Sequence, residues 1–162
     1  MRVAVRGPLP RPTEDPRLCT KRAVATRPES AVQLSRSLQF QFRENADLKR
    51  AIAAFFEARK PTAVLCHGVS ALLDVQLSNG TYKVTGKTVT GFANVEEDFS
   101  DAAAGTRVMP YRLEDELRKR GANYIQAGLF KAFAVRDMNL ITGQQQYSGK
   151  KVAELVIAAL GD

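Results

Sequence analysis

The chain has 162 residues, a length that favours one domain, and its 44% hydrophobic and 25% charged residues are typical of a globular fold. This composition excludes a collagen-like repeat, a disulfide-rich scaffold and a wholly disordered chain. The net charge of +7 would by itself favour an anionic partner such as nucleic acid.

The positive charge is concentrated in the first 43 residues. That segment holds nine of the 24 Lys and Arg residues and three of the 17 Asp and Glu, so it carries +6 and the other 119 residues +1. It also holds five of the seven prolines and shows no sustained period of 2 or 3.6. We therefore expect a basic Pro- and Arg-rich leader over 1–43, disordered or non-native, a folded domain over 44–162, and no nucleic-acid partner.

The sequence carries no clear targeting or metal-binding signal. No stretch approaches the ~18 apolar residues of a membrane-spanning helix, and the leader lacks the apolar centre of a secretory signal. Three acids and five prolines also oppose a transit peptide. Cys19 and Cys66 form no Cys-x-x-Cys or Cys/His cluster, which excludes a structural zinc site. We predict a cytoplasmic protein with no membrane partner and no metal, and assign Cys19 no role.

The organised pattern begins at Asn45, which can cap a helix that ends before Pro61. The apolar residues of this helix fall on one face at Leu48, Ile52, Phe55 and Phe56. A short strand over 62–65 follows, then the Cys66-His67-Gly68 turn and a short helix over 69–75. This order is typical of a parallel α/β sheet.

The second half of the chain continues the same alternation. A strand is predicted over 85–92, a helix over 110–120 that stops at Gly121, and two strands over 132–135 and 140–142 joined by a tight turn. A final amphipathic helix covers 148–160. The residues expected to face inward on it are Val152, Leu155, Val156, Ala159 and Leu160.

The chemistry of the sequence is concentrated where the 62–65 strand ends. Cys66 comes directly before His67, the one histidine of the chain, and Gly68, whose small size would relieve crowding in a sharp strand-to-helix turn. Ligands of α/β sheets bind outside the carboxyl ends of strands, where a helix N-terminus favours a thiolate. Cys66 is a candidate nucleophile with His67 as its base. A single Cys is more often an inert core residue, so the local pattern leaves both interpretations open.

Four ordered stretches carry a family resemblance: residues 63–68 (AVLCHG), 86–97 (GKTVTGFANVEE), 110–117 (PYRLEDEL) and 139–144 (NLITGQ). They resemble the ThiJ/PfpI family, whose fold is like that of the class I glutamine amidotransferases, and within it the heat-shock chaperone and glyoxalase III branch. The resemblance implies a three-layer, flavodoxin-like α/β sandwich with a parallel sheet. It covers the chain from about residue 44 onward.

The resemblance also implies a catalytic triad. In that branch the elbow Cys and the following His are joined by an acid just beyond the Thr-Gly-Phe strand, which here corresponds to Glu97, with Glu96 as the alternative one residue away. Gly68 would support the nucleophile elbow, which is the sharp strand-to-helix turn that carries the Cys, and would help to stabilise the oxyanion. The alternative interpretation is that Glu96 and Glu97 are the acidic first turn of a helix.

The implied activity is that of a cofactor-independent glyoxalase III or deglycase-like enzyme, which acts on 2-oxoaldehydes such as methylglyoxal or on glycated substrates. The alternatives are a non-catalytic stress chaperone and a glutamine amidotransferase-like or peptidase-like hydrolase. Glutaminases are disfavoured because their His comes from far downstream of the Cys. A homodimer is left open.

The sequence departs from the family in two places. The first half of the family domain supplies an opening strand, a glutamate that bonds the nucleophilic Cys, and a glycine-rich loop, and none of these is found in residues 1–43. The 62–65 strand would then lack a neighbour, and activity would be impaired. After Gln144 the family has Asn-Pro, whereas this chain has Gln145-Gln146.

Overall fold

The computed structural model describes residue 39 and residues 41–161. The predictions made for the leader as far as residue 38, including Cys19, therefore lie outside the described residues. None of the helices in the described part is long and apolar enough to cross a membrane. In chain order the elements are α1 (Ala46–Glu57), β1 (Thr62–Leu65), a 3-10 helix (Cys66–Leu72), β2 (Thr88–Val89), α2 (Asn94–Ala104), α3 (Leu113–Lys119), β3 (Asn123–Tyr124), β4 (Ala134–Asp137), β5 (Leu140–Gly143), a second 3-10 helix (Gln146–Ser148) and α4 (Gly149–Gly161).

The strands form two small sheets. In the larger, with the order β1-β5-β4, β1 runs parallel to β5, with Leu65 opposite Gly143, and β4 pairs with β5 in antiparallel fashion. The tight turn between β4 and β5 permits only antiparallel pairing, so the sheet is mixed. β2 and β3 pair in parallel as the second sheet. Helix α4 packs across the larger sheet, and the predicted α/β class is confirmed.

Strand β1 lies at an edge. Within the described residues it pairs with β5 alone, and Ala63 is exposed while Val64 and Leu65 are half-buried. This agrees with the expectation that the 62–65 strand lacks a neighbour, because burial on both faces requires neighbouring strands on both sides.

Helix α1 begins as predicted, because the Asn45 side chain accepts a hydrogen bond from the Leu48 N–H at 2.9 Å. Ile52 is buried and Phe56 half-buried. Phe55, however, is 51% exposed, with the Lys60 ammonium 5.0 Å from its ring centre. In α4, Val152 is buried but Leu160 is 71% exposed, so the inward prediction was wrong for Leu160, which lies in the last turn of the helix.

Three predicted elements have different bounds. The helix expected over 69–75 is the 3-10 helix Cys66–Leu72, which ends where Leu73 turns extended. The strand expected over 85–92 shortens to Thr88–Val89, because Gly86, at φ +70°, is still in a turn and the Thr90 N–H donates to the Thr142 side chain. The helix expected over 110–120 is Leu113–Lys119.

The predicted leader boundary at residue 43 does not separate Arg43 from the fold. Residues 41–44 are helical, and the Arg43 guanidinium binds Asp74 and Glu116 at 2.9 Å each. It also lies 4.9 Å from the ring centre of Tyr111. Arg43 is therefore part of the packed structure, in contrast to its assignment to a disordered leader.

Candidate active site

The candidate site is built on a strained turn where β1 ends. Cys66 has φ +57°, a left-handed conformation that costs a non-glycine residue about 1–3 kcal/mol. This conformation ends the strand, and the 3-10 helix starts at the same residue. The turn was expected to be crowded at Gly68, but a Cβ built on Gly68 would have nothing within 4 Å. The strained residue of the turn is Cys66. An oxyanion role for Gly68 stays a prediction.

The structure brings the three predicted triad residues into a line. The Cys66 Sγ lies 3.7 Å from the His67 Nδ1, and the His67 Nε2 lies 3.0 Å from the Glu97 Oε1. Glu97 is fully buried, and the His67 side chain is 14% exposed. The imidazole stacks on Phe92 with ring centres 4.1 Å apart, so its plane is held on one side by packing and along one edge by the carboxylate.

The electrostatics of the line favour a charged imidazole. Burial lowers the pKa of His67, but hydrogen bonding and negative charge at Cys66 and Glu97 outweigh burial and raise it from 6.5 to about 9. At neutral pH the folded protein therefore carries mainly an imidazolium beside the Cys66 sulfur. A cation at this distance stabilises a thiolate, which is the reactive form of cysteine.

Glu96 and Glu97 face in different directions from the first turn of α2. The Glu96 carboxylate accepts from the backbone N–H groups of Ala93 and Phe130, at 3.0 Å each, and from the Gln144 side chain at 2.8 Å. It thus closes the N-terminus of α2 and ties down a distant loop. Of the two acids, Glu97 is the one that contacts His67. Both also satisfy the interpretation as an acidic first helical turn.

Sequence reasoning missed the role of Gln144. Its amide group accepts from the Ala127 N–H at 2.9 Å and donates to the Gly128 carbonyl at 2.8 Å, so Gln144 and Glu96 together hold the loop over 125–133. A pattern in the sequence could have indicated that Gln144 lies near the site, since Cys66 and Gln144 each follow a strand. In the structure these strands, β1 and β5, are parallel neighbours. The carboxyl ends of parallel strands meet at one edge of a sheet.

The loop carries an aromatic residue toward the site. Phe130, at φ +50°, lies 6.5 Å from Phe92 between ring centres, and Phe99 lies edge-on to Phe130 at 5.3 Å. The four rings form a row that runs from His67 to Phe99, which is 54% exposed. One wall near the candidate nucleophile is therefore apolar.

The segment after Gln144, where the sequence departs from the family, is closed by its own hydrogen bonds. The Ser148 hydroxyl accepts from the N–H groups of Phe133 and Gln145 at 3.2 Å each, and the Gln145 side chain accepts from the Tyr147 N–H. Gln145 and Ser148 therefore cap the second 3-10 helix ahead of α4. Among the residues described, no group of three His, Cys, Asp or Glu side chains could hold a metal ion.

Comparisons with known proteins identify relatives of this chain, although no family model matches it. Glyoxalase 3 of Candida albicans is 28% identical over 126 residues, which cover 74% of this chain and 52% of that protein. The crystal structure of glyoxalase III from the same organism has a TM-score of 0.65 at 26% identity, covering 75% of this chain and 52% of its own.

Two further crystal structures are more similar in sequence. One, which carries no functional name, has a TM-score of 0.71 at 41% identity and covers 76% of this chain and 54% of its own. The other is the Rapid Encystment Protein of 24 kDa from Francisella tularensis, with a TM-score of 0.70 at 30% identity, covering 75% and 53%.

The fold itself extends to more distant proteins. A ThiJ/PfpI domain protein from Brachyspira murdochii, 16% identical, shares the fold with a TM-score of 0.51 over 75% of this chain and 54% of its own. The chain spans about half the length of the relatives it matches. The predicted resemblance to the ThiJ/PfpI family is confirmed by these matches.

Proposed function

We propose that this chain carries the catalytic centre of a glyoxalase III-type enzyme, which converts a 2-oxoaldehyde into a 2-hydroxy acid. The observation that carries the proposal is the line from the Cys66 Sγ through the His67 imidazole to the buried Glu97 carboxylate, with contacts of 3.7 and 3.0 Å. The similarity to Glyoxalase 3 of Candida albicans supports the choice of substrate class.

The first step is addition of the thiol to the aldehyde. The Cys66 thiolate forms a carbon–sulfur bond to the aldehyde carbon, and the carbonyl electron pair moves to oxygen. The His67 imidazolium, whose pKa of about 9 keeps it protonated at neutral pH, gives its proton to that alkoxide. The product is a hemithioacetal and a neutral imidazole.

The second step moves a hydrogen between the two substrate carbons. The neutral His67 removes the proton from the former aldehyde carbon, the C–H electron pair forms a carbon–carbon double bond, and the ketone electron pair moves to its oxygen to give an enediolate. The proton of the hemithioacetal hydroxyl then passes to the enediolate oxygen, and His67 returns its proton to the neighbouring carbon, which gives a thioester of the 2-hydroxy acid. The aldehyde carbon is oxidised and the ketone carbon reduced, so the atoms and electrons balance within the substrate. Water then cleaves the thioester and releases the 2-hydroxy acid and the Cys66 thiol. Glu97 holds the imidazole through both proton transfers.

The assignment is tested by replacing Cys66 with Ser in the full chain. The wild type should convert methylglyoxal to lactate without glutathione, and Cys66→Ser should lose about a thousandfold or more of kcat/KM, because the thiolate nucleophile is gone. Cys19→Ser, the same substitution at the other cysteine, is the matched control and should keep full activity. Full consumption by Cys66→Ser, or no consumption by the wild type, would contradict the proposal.

A second function, the prevention of client aggregation, is favoured by exposed apolar side chains. Phe55 on α1 and Ile157 and Leu160 on α4 are 51%, 70% and 71% exposed. Such surface can bind the apolar segments of unfolding proteins. The same two Cys variants separate the functions, since a holdase would protect a heated client equally well with Ser at position 66.

A further inference from the structure

Arg112 connects the candidate triad to a second pair of acids. It lies directly ahead of α3, and its largely buried side chain reaches across to α2. Its Nη2 donates to the carboxylates of Asp98 and Asp101 at 2.7 Å each. Its Nη1 lies 3.8 Å from the Glu97 Oε2, on the side of that carboxylate that faces away from His67.

The two atoms that face each other here have no other partner. Both the Glu97 Oε2 and the Arg112 Nη1 are buried without a hydrogen bond among the described residues. A buried carboxylate oxygen without a donor needs a counter-charge, because burial otherwise favours the neutral acid. Arg112 is the charge in contact with that oxygen, and the two aspartates hold the guanidinium in place.

The result is a row of alternating charges. The row starts beside the Cys66 sulfur with the His67 imidazolium, continues with the Glu97 carboxylate and the Arg112 guanidinium, and ends at Asp98 and Asp101. Of the described residues, the charged or titratable groups that face His67 directly are Cys66 and Glu97. Glu96 is turned away toward Phe130 and Gln144.

We propose that Arg112 is a positioning residue, which holds the Glu97 carboxylate turned so that Oε1 faces His67. Its importance for catalysis rests on the proposed function, whereas its effect on His67 does not. Arg112 lies in PYRLEDEL, one of the four stretches that carry the family resemblance. The structure gives its arginine a contact with the triad.

The proposal and simple charge repulsion predict opposite changes in the pKa of His67 when Arg112 is removed. If Arg112 acted on His67 only as a nearby cation, its removal would raise the pKa of the imidazole. If it acts by holding Glu97 in place, its removal lets the carboxylate turn away from the imidazole, and the pKa of His67 falls from about 9 toward 6.5. The two effects are therefore opposite in direction.

The experiment is an NMR titration of the full chain, which is simple because His67 is the one histidine in the sequence. In Arg112→Gln we expect the pKa of His67 to fall by about one unit, a tenfold loss of proton affinity. Arg112→Lys keeps a cation but cannot match the planar fork, so it should give a smaller fall. Arg118→Gln is the matched control: Arg118 lies on α3, pairs with Glu114 and is half-exposed.

Alkylation of Cys66 by iodoacetamide gives a second readout without substrate. Its rate at pH 8.5 should fall about threefold in Arg112→Gln and stay unchanged in Arg118→Gln. A pKa of His67 lowered from about 9 to about 8 leaves roughly a quarter instead of three quarters of the imidazole charged at this pH, and a less charged imidazole stabilises less thiolate. In an active preparation, kcat of Arg112→Gln should fall and KM should not.

If Arg112→Gln fails to fold, the titration of His67 in Arg112→Lys alone tests the proposal. An unchanged or raised pKa of His67 in the folded variants overturns the proposal, whereas absence of methylglyoxal turnover overturns only the proposed function.

Discussion

At the scale of single residues, the backbone at Cys66 and the chemistry of its side chain depend on one another. The left-handed conformation at φ +57° ends β1 and starts the 3-10 helix at the residue that carries the thiol. The next residue, His67, is then placed between the Sγ and the buried Glu97. The turn at one strained residue therefore places the imidazole between the sulfur and the carboxylate, and packing against Phe92 leaves the imidazole little freedom to turn.

The contribution of Glu97 to this arrangement is measurable on its own. In Glu97→Gln the amide keeps the size of the side chain but not its charge, so the pKa of His67 should fall by about one to two units from about 9. Cys66 still supports the imidazolium and prevents a complete return to 6.5. Methylglyoxal turnover should fall by about a hundredfold or more.

Glu154→Gln is the matched control for this substitution. Glu154 is exposed on α4 and pairs with Lys150 at 3.8 Å, so its variant should show the wild-type titration and turnover. A wild-type pKa for His67 in Glu97→Gln would show that the 3.0 Å contact does not control the imidazole.

At the scale of elements, Gly143 is where β1, β5 and α4 meet. A Cβ at this position would lie 2.5 Å from the Val152 Cγ2 and 3.0 Å from the Leu65 Cβ. Gly143→Ala should therefore destabilise the fold by about 1–3 kcal/mol, the usual range for overpacking, measured by urea denaturation. Because Leu65 directly precedes Cys66, we also expect faster alkylation or slower turnover at the thiol.

Gly149→Ala, at the first residue of α4, is the control for Gly143→Ala. Gly149 begins α4 with ordinary helical angles, and a Cβ there would have nothing within 4 Å. Gly149→Ala should be neutral or more stable by about 0.5–1 kcal/mol, since alanine loses less backbone entropy in a helix. Equal stability of Gly143→Ala and the wild type would mean that α4 can shift away from the sheet.

The elements that the sequence predicted correctly are those with local signals. Asn45 and Pro61 delimit α1 through a side-chain cap and a missing donor, both of which act within a few residues. By contrast, β3 (Asn123–Tyr124) was not predicted, since a two-residue strand is too short to show a period. Its position depends on β2, which lies over 30 residues away in the sequence.

The residues of the candidate site also divide into those with a local signal in the sequence and those placed by distant contacts. Cys66 and His67 could be identified because they are adjacent and follow a strand, and the family pattern added Glu97. Which acid faces the imidazole is decided by the orientation of α2, and that depends on contacts of Glu96 with Phe130 and Gln144. Contacts between positions 30 to 50 residues apart leave no periodic signal in one sequence.

At the scale of the whole molecule, two buried groups make stability depend on pH in opposite ways. The pKa of His67 is raised to about 9, so its contribution is complete below pH 6.5 and is lost as the pH rises through 9. Burial, and then the charge of Lys87, lower the pKa of Lys83 to about 7 against the opposing effect of Asp137. Between pH 7 and 10.5 the unfolded chain binds a proton at Lys83 that the folded one does not, so this term stabilises the fold with rising pH.

Lys83 can be separated from His67 by substitution. Its ammonium is buried without a hydrogen-bond partner in the described structure and lies 4.1 Å from the ring centre of Phe56, which offsets only part of the cost of burying a charge. Methionine has a similar length and no charge, so Lys83→Met should be more stable than the wild type by about 1–3 kcal/mol at pH 6. The difference should shrink steadily between pH 7 and 10.5, as the folded wild type no longer carries the buried charge.

Urea denaturation of both proteins at several pH values checks this, with Lys150→Met, at an 87% exposed position, as the control that should show no such trend. The term for His67 is common to Lys83→Met and the wild type and cancels in their difference. In the wild type, the loss of the His67 contribution between pH 7 and 9 is offset by the gain at Lys83. Lys83→Met lacks that gain, so the stability of this variant should fall between pH 7 and 9 while that of the wild type changes little. A constant difference across this range would mean that Lys83 keeps its proton in the fold, held by the Phe56 ring and Asp137.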